Sequence, residues 1–110
     1  MTDTSTIRAI ISKRAATNDE WQDGVERCGA ELTDALTENI DTTRKFLLED
    51  CTADEASWIS EVYDDIVYKT QSREYIDLLR KSIERFPEED KKRHLTENLE
   101  LTVRTMLLDD

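Results

Sequence analysis

The side chains able to do chemistry in this 110-residue sequence are overwhelmingly carboxylates: 26 Asp and Glu stand against 15 Lys and Arg, two Cys and one His. Glu61 and Asp64 sit at i and i+3, as do Glu97 and Glu100, and two such pairs on facing helices can hold Mg²⁺ for a phosphate-bearing substrate. Nucleophilic catalysis needs a base beside the nucleophile. The single histidine, His94, instead falls in the polar run Asp90-Lys91-Lys92-Arg93-His94, as a surface residue would. A four-helix di-iron centre needs two Glu-x-x-His motifs, and the sequence has none. Cys28 and Cys51 match no metal-ligand spacing, which leaves two reduced core thiols in a cytoplasmic protein as the plain reading. No cofactor is expected.

The elements that position these groups follow from spacing. Two Gly and one Pro are too few turn residues for many short strands. Apolar residues recur at three- and four-residue steps, so the chain is expected to be all-α, a single-domain bundle of about five helices. Thr4 or Ser5 caps a first helix running to about Ala16, with Ile7, Ile10, Ile11 and Ala15 on its buried side. A long helix from Asp19 to about Leu48 carries Trp21, Val25, Cys28, Leu32, Ala35 and Leu36, with a break near Thr37 to Asn39. Gly24 and Gly29 each cost this helix about 1 kcal/mol relative to Ala, which a close helix approach or a kink would explain.

Thr52-Ala53-Asp54-Glu55 matches a capping box and opens a central helix to about Lys69 or Thr70. Its wheel puts Trp58, Ile59, Val62, Tyr63, Ile66 and Val67 on one apolar arc and Glu61, Asp64, Asp65 and Tyr68 on the other side. Ser72 caps a fourth helix ending near Arg85. Pro87 starts a fifth, with Glu88, Glu89 and Asp90 at the positive end of its dipole and Leu95, Leu99, Val103, Met106 and Leu107 as its core stripe. Leu101 and Leu108 fall off that stripe and offer a weak homodimer contact. The first sixteen residues hold no long apolar run, so neither a signal peptide nor a membrane span is expected.

Charge is distributed unevenly. The formal net charge is −11, and residues 18 to 66 alone carry three basic and fifteen acidic groups, 3 − 15 = −12. Such a potential repels nucleic acid and anionic membranes and steers a basic protein inward. On the long helix, Asp19, Asp23, Glu26, Asp34 and Asp41 form an acidic ridge whose plain alternative is a solvated face. Arg8, Lys13 and Arg14 of the first helix are placed to lie against this acidic block. Glu61, Asp64, Asp65 and Tyr68 occupy i, i+3, i+4 and i+7, an aromatic anchor among carboxylates able to meet Lys or Arg. A tyrosine packed along its neighbouring helix is the competing reading of Tyr68.

A small, acidic, helical chain with an acidic aromatic helix, in the segment from Trp58-Ile59-Ser60-Glu61-Val62-Tyr63-Asp64-Asp65 through Arg85-Phe86-Pro87-Glu88-Glu89, resembles bacterial immunity proteins that neutralise colicin-like or contact-dependent toxins. The resemblance covers about half the chain and is one of character. It implies a protein without activity of its own that binds a toxin domain, often a basic nuclease, and blocks its active or substrate-binding surface. It transfers no binding position. From the wheels alone, Asp23, Glu26, Asp34, Glu61, Asp64, Asp65 and Tyr68 are the expected partner-binding residues, with no catalytic or metal-ligating residue. The alternative from another class is a Mg²⁺-dependent phosphohydrolase using Glu61, Asp64, Glu97 and Glu100. All-α nucleotide pyrophosphohydrolases carry paired acidic motifs of this sort, but this chain lacks their doubled glutamate and has the pairs in the wrong order. A third reading is a helical adaptor that self-associates through Leu101 and Leu108.

Overall fold

Free backbone groups at helix ends need partners. In the computed structural model, which describes residues 3–108, nearby side chains supply many of them. Asp3, rather than Thr4 or Ser5, caps α1 (Thr4–Ala16) by accepting from the Thr6 amide at 2.9 Å. α2 (Gln22–Glu38) stops at Asn39, whose side chain accepts from the Asp41 and Thr42 amides and so starts α3 (Ile40–Lys45). The expected break is therefore real. A π-helical turn (Phe46–Asp50) follows, closed by the Cys51 amide donating to the Phe46 carbonyl at 2.7 Å.

The capping box at Thr52 is complete. Its hydroxyl accepts from the Glu55 amide and the Glu55 carboxylate accepts from the Thr52 amide. From there α4 (Ala53–Ile59), a 3₁₀ turn (Ser60–Val62) and α5 (Tyr63–Thr70) run on as one rod. Ser60 Oγ donates to the Ser57 carbonyl at 2.6 Å, a back-bond of the kind that bends helices. Ser72 caps α6 (Arg73–Glu84) through the Tyr75 amide.

The expected fifth helix is two: α7 (Pro87–Arg93) and α8 (Leu95–Met106). His94 takes the left-handed conformation, φ 57°, and its amide donates to the Asp90 carbonyl while the Asp90 carboxylate accepts from the Thr96 amide and hydroxyl. With the α4–α5 rod taken as one and α3 counted separately from α2, the described residues form seven helices rather than about five. Gln71 makes a second left-handed corner, φ 47°, and its side chain donates to the Met106 carbonyl and accepts from the Leu108 amide.

The central rod lies where its apolar arc requires. Ile59, Val62, Tyr63, Ile66 and Val67 are all buried, and α1, α2, α6 and α8 pack around the rod. Phe46, Leu36, Leu79, Leu95 and Leu99 complete the core. The radius of gyration is 13.0 Å, close to the ~13 Å of a single packed domain of this length. Two expectations about buried faces are corrected. Ala15 is exposed, and Arg14 takes its place in the interior. Of the last stripe only Leu95 and Leu99 are fully buried, joined by Thr102, whereas Val103, Met106 and Leu107 are partly exposed. Among the described residues there is no strand, and no helix is long and apolar enough to cross a membrane.

Candidate partner-binding site

α1 is the basic element, and it binds part of the acidic block into the fold. Lys13 meets Glu31 of α2 at 2.7 Å. Arg8 holds the buried Glu55 of α4 through Nε at 2.7 Å and Nη2 at 3.0 Å. Burial alone would push the Glu55 carboxyl above the glutamate range, but Arg8 and the Thr52 amide outweigh it and hold it below. Arg14 grips both oxygens of Glu61, at 2.8 and 2.9 Å, and also meets Asp19 at 3.0 Å. Its guanidinium carbon sits 4.8 Å from the Trp58 ring centroid, within range of a cation–π contact. Three cations on one helix thus neutralise carboxylates drawn from three separate segments.

The opposite flank of α2 is different. Between α2 and the Ser60–Val62 turn and α5 lies an open groove of about 600 Å³, with Val25, Gly29, Ala30 and Val62 as its apolar lining and Glu26, Glu61 and Asp65 as its charged lining. Among the described residues, no cation of the chain lies within ion-pairing distance of Glu26 or Asp65. Glu26 accepts a 3.3 Å bond from Gln22. Partial burial, and secondarily the neighbouring charge of Asp64, raise the Asp65 carboxyl above the usual aspartate value. At Glu26 and Asp65 the groove therefore holds negative charge that no ion pair among the described residues neutralises.

The expected partner-binding residues separate into groups. Glu26, Glu61 and Asp65 converge on the groove. Asp23 is exposed in the first turn of α2. Asp34 is tied to Lys69 at 2.9 Å, and Asp64 accepts a long 3.4 Å bond from Thr102 of α8. Tyr68 is 62% exposed and does not line the groove. The single ridge drawn along one wheel is also corrected. Asp19 precedes α2 and pairs with Arg14, and Asp41 follows the Asn39 break and pairs with Arg44. Gly29, Ala30 and Val62, with Val25, are the site residues that wheel reasoning on separate helices passed over. A glycine in mid-helix was the available signal.

The four carboxylates considered for Mg²⁺ point to different partners. Glu61 is held by Arg14, and Glu100 by Arg80 at 2.8 Å through each oxygen. Among the described residues no three His, Cys, Asp or Glu side chains gather as a metal ion would require. Cys28 and Cys51 are both free and buried. Burial, and then the nearby Glu55 charge, push the Cys51 thiol up to about 12, so it stays protonated at neutral pH. Leu101 and Leu108 are 53% and 73% exposed, with Leu108 beyond the end of α8. No protein-family model, curated protein or solved structure matches the chain.

Proposed function

We propose that this chain is a non-enzymatic binding protein, most concretely an immunity protein that neutralises a basic toxin by occluding its active or substrate-binding surface. The observation that carries the reading is the groove beside α2, where Glu26 and Asp65 make no ion pair among the described residues although α1 neutralises other carboxylates of the same block. A nuclease is basic where it binds phosphate, and carboxylates set on rigid helices imitate that phosphate array, steering encounter and covering the surface. Asp23 and Tyr68, both exposed near the ends of α2 and α5, extend the contact beyond the groove. The protein acts in the cytoplasm, where its two buried thiols stay reduced.

An inhibitor of this type is expected to be encoded beside its toxin. The test is expression of each neighbouring reading frame in a bacterial host, with and without this chain. The expected result is growth arrest by one neighbour and restored growth when the two are co-expressed. Arrest that this chain fails to relieve, or neighbours that are all harmless, would overturn the assignment.

A further inference from the structure

We infer that the groove between α2 and α5 is a socket for one basic side chain, a lysine or arginine presented by the protein partner. The inference rests on the binding-protein reading above and makes it specific. Three observations converge. First, the lining combines the two surfaces that a long basic side chain presents: Val25, Ala30 and Val62 offer an apolar wall for the methylene stem, and Glu26 and Asp65 offer carboxylates for its head. Second, those carboxylates come from two different helices and make no ion pair among the described residues, so an incoming charge displaces none of those pairs at either one.

Third, Gly29 lines the groove and leaves room there that a side chain would occupy. A Cβ built there meets only Val62 Cγ1, at 3.7 Å, an ordinary contact. Nothing among the described residues requires glycine at this helical position, unlike Gly24, where a Cβ would run into the Trp21 ring. The space that Gly29 leaves empty is the space the stem would fill.

The experiment is an NMR titration of the full chain with Nα-acetyl-arginine amide, Nα-acetyl-lysine amide and the uncharged Nα-acetyl-norleucine amide, repeated on Gly29→Leu, Gly29→Ala and Glu26→Gln/Asp65→Asn. Saturable shifts centred on the Gly29, Ala30, Val62 and Asp65 amides are expected with at least one basic probe. The norleucine amide should bind at least tenfold more weakly. Gly29→Leu keeps every charge and fills the socket, so it should lose at least tenfold in affinity, as should the Glu26→Gln/Asp65→Asn pair. Gly29→Ala, whose methyl group the site accommodates, should lose at least threefold and serves if the leucine variant misfolds. Shifts that fail to saturate, or glycine variants that bind the probes as wild type does, would overturn the socket. If wild type and Gly29→Leu then relieve toxin arrest equally well, the inhibitor assignment stands and the socket alone falls. Saturable groove binding by a chain that relieves no arrest would instead overturn the inhibitor and leave the socket.

Discussion

On the flank of α2 that faces α1, Glu31 is met by Lys13, while Arg8 and Arg14 hold Glu55 and Glu61 on the adjoining rod. On the flank that faces α5, Glu26 and Asp65 line an open groove, and among the described residues neither makes an ion pair. Both flanks are built from the same acidic segment. The difference teaches that net charge does not locate a working surface; what matters is which carboxylates the fold has already neutralised. A count of −12 over residues 18 to 66 merges structural pairs with charge left available for a partner.

The strongest way to break this comparison is to remove the clasp. Arg14 is 5% exposed, so Arg14→Ala loses its packing on Trp58 together with its pairs to Glu61 and Asp19. A destabilisation of about 2–3 kcal/mol is expected, discounted from that of a fully buried pair because both carboxylates reach solvent. Urea denaturation with an unchanged slope checks it. A loss below about 0.5 kcal/mol, the size of an ordinary surface change, would mean that this flank is no more structural than the other.

The matching change on the open side is Glu26→Lys with Asp65→Lys. It should leave the urea midpoint near that of wild type while slowing association with the basic partner at least tenfold at low salt. The effect should shrink as salt is raised, because screening removes steering. Stopped-flow mixing reads both, and an association rate unmoved at low salt would place the contact elsewhere.

The two glycines of α2 sharpen the contrast at lower amplitude. Gly29→Ala should stabilise the chain by up to about 1 kcal/mol, the helix-propensity difference, with no steric penalty. Gly24→Ala should gain less or lose, because the new methyl group displaces the Trp21 ring, which Trp fluorescence would register. Equal gains at both positions would remove the argument that Gly29 is sterically unneeded.

The smallest effect is a pH dependence of opposite sign on the two sides. Asp65 binds its proton more tightly in the folded chain than in the unfolded one, so its ionisation costs stability as pH rises. Asp65→Asn should therefore gain on wild type from about pH 4 upward, past the ordinary aspartate value. Glu55 has a lowered folded value. Its contribution is present above the ordinary glutamate value and is lost as pH falls through the folded one, so Glu55→Gln should flatten acid unfolding. Thermal melts between pH 3 and about pH 7 separate the two slopes, and slopes of the same sign would contradict the assignment of partners.

Local signals were legible in the sequence, and relations between helices were not. The capping box at Thr52, the stop at Asn39, the Ser72 cap and Pro87 at a first turn each depend on residues within one turn, so they could be read directly. His94 hid a helix end because the left-handed position is held by a residue that does not advertise it; glycine would have. Arg14 lies three residues after Ile11 and seven after Ile7, on their stripe, just as Thr102 lies three after Leu99 and seven after Leu95. Polarity argued against burial at both places, and position prevailed. The groove has no signature within either helix, since its walls come from α2 and from a rod interrupted by the Ser60–Val62 turn. The 3₁₀ turn also rotates the register by roughly 60° over its three residues relative to an α-helical wheel. A single wheel over residues 52 to 68 therefore could not show that Glu61 would reach both Arg14 and the groove.

That double duty of Glu61 has a thermodynamic corollary. A guest in the groove that draws on this carboxylate competes with the guanidinium of α1 for it, and such linkage is reciprocal. Whatever free energy the guest takes from the α1 contact, α1 takes from the guest. Loosening the first helix should then tighten the complex, and forming the complex should increase hydrogen exchange along α1.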